Sequence, residues 1–213
     1  MRARSASSAL TLALSLIAAL TLTACGGLGG SAVTTTNLPP PDPTRAPVDV
    51  HWEAFQGIQL PIGAHDGPTK LGTTASGYSH TPQGAALAAI NHTVRISLAP
   101  DGVWPDVAAQ ALMPGPAKDS WVLSRAQISI TAPANPIVAP RISGYKFVAY
   151  TATKADVTIY TTYTDASIAA TLQTVEWSAD DWRLDLPDPN SKTPTVQSIP
   201  AIPEGVIKLE PPK

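Results

Sequence analysis

Val157-Thr158-Ile159-Tyr160-Thr161-Thr162-Tyr163, Ile168-Ala169-Ala170-Thr171-Leu172-Gln173-Thr174-Val175-Glu176-Trp177 and Trp182-Arg183-Leu184-Asp185-Leu186 are three successive runs dense in β-branched and aromatic residues. Such side chains pack well on a half-buried pleated surface, so each run reads as a strand. Ser178-Ala179-Asp180-Asp181 separates the last two as a tight turn. Upstream, Tyr145, Phe147 and Ala149 alternate with Lys146, Val148 and Tyr150, and Ala126, Ile128 and Ile130 alternate with Arg125, Gln127 and Ser129. Period-two alternation extends the reading to an antiparallel meander that occupies everything after Ser120.

The chain before this meander is helical in pattern. Thr81 stands at a cap position, and Pro82 follows where its missing N–H costs nothing. Leu87, Ile90, Val94 and Leu98 then recur at helical spacing beside the small residues Ala85, Ala88 and Ala89. The spacing predicts a helix from Pro82 to about Ser97. A short second helix is expected after Trp104-Pro105, with Asp106 at the positive end of its dipole, and Met113-Pro114-Gly115-Pro116 ends it. Helices first and strands last imply an α+β domain, a long and a short helix packed on one face of a curved antiparallel sheet. Residues 57–81 read as a long loop ahead of the first helix, and long ordered loops are often functional.

Proline, 22 residues in all, gathers toward the ends of the chain. Residues 48–186 form a body of single-domain size. Residues 187–213 are a Pro-rich tail in which Val206-Ile207-Lys208-Leu209 can add a short edge strand. Residues 25–47 pass from Gly-rich to Pro39-Pro40-Pro41-Asp42-Pro43, flexible and then extended, as a disordered spacer would. Residues 1–24 carry Arg2 and Arg4 without an acid, then an apolar stretch from Ala9 to Leu22. That is the architecture of a secretory leader, too short to span a bilayer that needs ~20 apolar residues.

Leu22-Thr23-Ala24-Cys25 followed by Gly26-Gly27 resembles the lipobox of bacterial lipoproteins, in which the thiol receives a diacylglycerol. The resemblance implies a lipid anchor at Cys25 and a mature protein held on the extracytoplasmic face of the cell membrane. Each acyl CH₂ buried in the bilayer adds ~0.8 kcal/mol, so two or three chains tether a domain without a transmembrane helix. Cys25 is the only cysteine, which excludes an internal disulfide, a thiolate metal cluster and a cysteine nucleophile from the body.

Removing Arg2 and Arg4 with the leader leaves 12 cations against 16 acids, a formal charge of −4. A mildly acidic chain with 14% charged residues lacks the basic footprint of nucleic-acid binding. His51, His65, His80 and His92 show no short metal-ligand spacing, so no metal or cofactor is expected. No Gly-x-Ser-x-Gly elbow occurs in the body. One acid–base arrangement remains conceivable on paper, His92 with a sheet carboxylate such as Asp156, Asp165 or Glu176. The plainer alternative is a partly exposed or core-satisfied histidine. Trp104 and Trp121 stand at element junctions, where a large ring either plugs the end of a core or rims a pocket.

The order of long helix, short helix and twisted meander, closing in Val175-Glu176-Trp177 to Asp181-Trp182-Arg183-Leu184, resembles the cone-shaped folds related to nuclear transport factor two. Trp52-Glu53, Gly57-Ile58-Gln59-Leu60-Pro61, Gly67-Pro68 and Gly77-Tyr78-Ser79-His80-Thr81-Pro82-Gln83-Gly84-Ala85-Ala86-Leu87-Ala88-Ala89-Ile90-Asn91 resemble an uncharacterised domain of actinobacterial secreted proteins and lipoproteins. That resemblance implies a non-enzymatic interaction or assembly module in a conjugation or secretion apparatus, with an envelope protein as partner. A small ligand on the concave sheet face is the alternative. The candidate binding residues are His80, Gln83, Asn91, His92, Trp104 and Trp121, and none is assigned a catalytic role.

Overall fold

The computed structural model describes residues 41–212. The leader, Cys25 and most of the linker lie outside the described residues.

Two strands, β1 (Val50–Phe55) and β2 (Ile58–Gly63), pair antiparallel around Gln56-Gly57, both at positive φ. A minimal hairpin, β3 (Lys70–Leu71) with β4 (Ala75–Ser76), follows. The segment expected to be a long loop is therefore a strand plus a hairpin. Ile58, Leu60 and Ile62 are buried on one side of β2, an alternation that Pro61 and the neighbouring glycines mask in the sequence.

Helix α1 (Pro82–Leu98) starts as its residues dictate: Thr81 has extended backbone, its hydroxyl accepts from the Gly84 N–H at 3.0 Å, and Pro82 opens the first turn. It is buried on nearly every side, since β2, the main sheet and the next helix all pack on it. Ala85, Ala86, Ala88 and Ala89 let these neighbours approach closely, and none of the four is exposed. Helix α2 (Trp104–Ala111) follows, with Asp106 in its first turn.

A third helix, α3 (Pro116–Arg125), stands where the sequence pattern predicts the meander to begin. Pro116 occupies its first turn together with Asp119, the same start signals that open α2. The strand expected over residues 125–130 is absent. Arg125 ends α3, and Ile128 beyond it is exposed, with no strand beside it to turn its alternation into a ladder.

The main sheet is built from β5 (Arg141–Tyr150), β6 (Lys154–Thr162), β7 (Ile168–Ser178), β8 (Asp181–Asp185), β9 (Val196–Ile199) and β10 (Ile207–Lys208). Four strands, β5 to β8, form the expected meander, so the domain is α+β with three helices against an antiparallel sheet. The Pro-rich tail supplies both flanks: β9 pairs with β7, and β10, within the expected Val206–Leu209 segment, pairs with the opposite edge strand β5. Leu60, Leu87, Ile90, Leu112, Tyr145, Val157, Val175, Trp182 and Leu184 fill the space between α1 and the sheet and have no exposed surface. At ~1.5–3 kcal/mol for each large apolar side chain removed from water, this layer is the main source of stability.

Candidate functional site

His92 projects from α1 into the core and is 1% exposed. Its Nε2 lies 2.9 Å from the carbonyl oxygen of Trp182, which can only accept, so Nε2 carries the proton and Nδ1 is the bare acceptor. Nδ1 has no partner among the described residues, and the ring meets Tyr78 edge-on at 5.2 Å. Burial pushes the imidazole pKa down to about 4, against the opposing pull of the Trp182 hydrogen bond, so the ring is neutral at ordinary pH.

None of the three sheet carboxylates suggested by the sequence bonds to it. Asp156 accepts from Thr174, Asp165 from Ser167, and Glu176 pairs with Lys154 at 2.8 Å. The buried carboxylate at this end of the domain is Asp181, which sequence reasoning placed in a turn. Its oxygens accept the backbone N–H groups of Gly77 at 2.8 Å, Tyr78 at 3.0 Å and Trp182 at 3.0 Å. That binds the segment ahead of α1 to the start of β8. The signal for it was available only as an acid following a two-residue turn.

The remaining residues of the sequence-derived set divide among three places. Gln83 is buried and donates from Nε2 to the carbonyls of Asp42 and Arg45, each at 2.9 Å, which holds the incoming chain against the start of α1. Asn91 donates to Pro61 on β2 and to Leu87 one turn back, so its amide is part of the scaffold. His80 is exposed at the same end as Gln83. Its ring stacks on Trp177 at 3.9 Å and 8°, and its Nε2 faces the carbonyl of Ala152 in the β5–β6 turn. Trp104, at the start of α2, and Trp121, in α3, meet edge-on at 6.0 Å, both pack against the core, and the Arg125 guanidinium lies over Trp104 at 5.5 Å. The six do not converge on one opening.

Arg95, one turn beyond His92, is 4% exposed and has no carboxylate partner among the described residues. Its Nη1 donates to the carbonyls of Gly72 and Thr73, its guanidinium lies 4.4 Å over the Phe55 ring, and burial lowers its pKa. These contacts tie the β3–β4 hairpin and β1 to α1.

The open surface lies at the far end of the sheet. A cleft of about 330 Å³ is lined by Gly57, Pro136, Ile137, Pro140, Arg141 and Pro211 among others, and a shallower one of about 490 Å³ continues past Arg141 and Pro211 to Leu209. The loop over residues 131–140 forms one wall. It is pinned where the Ala134 N–H donates to the Gln56 carbonyl at 3.0 Å. Gly57 permits this approach, because a Cβ there would stand 2.2 Å from the Ala134 oxygen. Thus held, the loop projects Ile137, 82% exposed, and Val138, 58% exposed. The sequence signal for it is Pro133, Pro136 and Pro140 around an apolar Ile-Val pair.

Residues 22–206 match the family described as Domain of unknown function (DUF8175). The chain belongs to that family. The DUF8175 match takes in α1 to α3 and every strand up to β9, and it ends one residue before β10 begins at Ile207. No curated protein and no solved structure matches the chain. Among the described residues no group of three or more His, Cys, Asp and Glu stands together to hold a metal ion, and no helix is long and apolar enough to cross a membrane.

Proposed function

We infer that the chain is a lipoprotein tethered through Cys25 to the extracytoplasmic face of the cell membrane, whose domain is a non-enzymatic protein-interaction or assembly module. The partner is an envelope protein, in a conjugation or secretion apparatus. The resemblances to actinobacterial lipoprotein domains and to cone-shaped folds related to nuclear transport factor two belong to the same reading.

The observation that carries it is the pinned loop with its exposed Ile137 and Val138 beside the cleft. Water-exposed Ile and Val on a loop held by backbone contacts lose little entropy on association, which is what an interaction site needs. Their position supports the reading as well. The incoming chain is held by Gln83 at one end of the domain, whereas Arg141 and the cleft lie at the other. The nine residues of β6 separate those ends, about 30 Å at ~3.3 Å per residue. The cleft therefore lies away from the place where residues 42–45 meet the start of α1. The filled interior and the sequestered His92 argue against a ligand on the concave face and against acid–base catalysis.

A photo-crosslinking residue at position 137, in cells at native expression, tests this. A discrete protein adduct is expected, and Cys25→Ala should abolish it together with membrane retention. No adduct above background from positions 137 and 138 overturns the reading.

A further inference from the structure

The tail after β9 closes the sheet in an unusual way. β9 flanks β7, and β10 lies on the far side of β5, so residues 200–206 must pass across β7, β6 and β5. Four interstrand spacings are about 19 Å, and seven extended residues reach about 24 Å, so the crossing has little slack. It runs over the face opposite α1. Lys146, which points away from the buried Tyr145, donates to the Glu204 carbonyl at 3.1 Å. Tyr160 is only 6% exposed, although it shares that outer face with Lys146 and Gly144. Gly144 leaves room for the arm, since a Cβ there would stand 2.5 Å from the Ile207 oxygen and 2.8 Å from Val206 Cγ1. Leu209, 7% exposed, anchors the far end, with its N–H on the Ser143 carbonyl at 3.0 Å.

β5 is ten residues long and β10 only two, so β10 pairs with Tyr145 and Gly144 and, among the described residues, no strand covers the stretch from Lys146 to Tyr150 on that side. A long bare edge strand is a template for pairing with another chain. The known protections are all here: a short terminal strand set between Pro203 and Pro211, lysines at 146 and 208, and a bulge between Phe147 and Ala149 that throws Val148 outward, 67% exposed. We propose that the C-terminal arm from Pro200 to Leu209 is an edge guard, which keeps β5 from pairing with β5 of a second copy of this chain. With the arm displaced, the two β5 edges would meet antiparallel about Tyr145, with Val148 inside the paired stretch, an isologous contact that closes on a dimer.

Light scattering on the purified full chain decides it, with trypsin cleavage at Lys208 reporting release of the arm. The unaltered chain is expected to be monomeric and protected. Gly144→Ala, which drives a methyl into the Ile207 carbonyl, and separately Leu209→Asp, which ejects the anchor, are expected to retain helical circular dichroism, expose Lys208 and associate with rising concentration. Adding Val148→Lys to either should restore the monomer. An unaltered chain that already dimerises, released arms without association, association that Val148→Lys leaves unchanged, or protection of Lys208 in both variants would each overturn the proposal. Unfolding of both variants would also overturn it, by showing the arm to be core rather than guard.

Discussion

His92 Nε2 on α1 donates to the carbonyl oxygen of Trp182 on β8 over 2.9 Å, a hydrogen bond made in a fully buried site. It joins the first helix to the last strand of the meander, and it sets a dependence on pH. In the unfolded chain the imidazole binds a proton below its ordinary pKa of 6.5, whereas in the folded domain burial delays this to about 4. The unfolded state therefore binds more protons between those values, and stability falls as pH drops from 6.5 toward 4. The full loss is of order 3 kcal/mol. His92→Gln, whose amide can still donate to Trp182, should flatten that part of the curve in denaturant titrations between pH 4 and 7. An unchanged slope would place the titration elsewhere.

Asp181 supports three backbone N–H groups, those of Gly77, Tyr78 and Trp182. Asp181→Ala should destabilise the domain by about 3 kcal/mol or more, because each buried donor left bare costs ~1–3 kcal/mol. Hydrogen exchange at the amides of Gly77 and Tyr78 should rise before global unfolding does. Loss of less than about 1 kcal/mol would show that water replaces the carboxylate.

The β7–β8 turn carries Ala179 at φ 52 and Asp180 at φ 59. Two-residue hairpins with both centres in the left-handed region favour Asn-Gly, and a residue such as Ala costs roughly 1–2 kcal/mol there. Ala179→Asn with Asp180→Gly should raise the denaturant midpoint by an amount equivalent to about 1 kcal/mol, with the slope unchanged. A lower midpoint would mean that the side chains make contacts worth more than the strain.

Ile137→Asp with Val138→Asp should leave thermal stability within about 0.5 kcal/mol, as is usual for exposed positions. The same pair should abolish partner capture from native membranes. Capture at the unaltered level would remove this loop from the interaction surface.

Gly57→Ala tests how the loop is held. The added methyl would meet the Ala134 oxygen, and φ at this position is +84°. Proteolysis within residues 131–140 should accelerate while the helical circular dichroism persists; unchanged cleavage would show that the loop is fixed by other contacts.

The hairpin motif and the helix start were legible because their signals are local. Thr81 and Pro82 determine a helix start whatever surrounds them, and the runs over residues 157–186 hold too many β-branched residues for another reading. Residues 125–130 show the limit of the same logic. Their alternation is as regular as that of Tyr145 to Tyr150, yet only the latter has β6 beside it. Pro116, read from the sequence only as the end of the second helix, is where α3 begins. At the candidate site, His92 and Gln83 were recognised as unusual residues, but their orientation toward the core follows from α1 being packed on all sides.

The sequence alone determined the α+β class, the start of α1 and the strands β5 to β8, because caps, turns and side-chain period act within a few residues, and it carries the expectation of a lipidated Cys25. Only the tertiary structure decided that β9 and β10 flank opposite sides of one sheet, that Asp181 clamps Gly77 and Tyr78, and that His92 is kept neutral beneath Trp182. Gly77 and Asp181 are 104 positions apart. No local pattern records that meeting, because it arises from burying α1 and the sheet against each other, and the energy of burial is shared by the whole core.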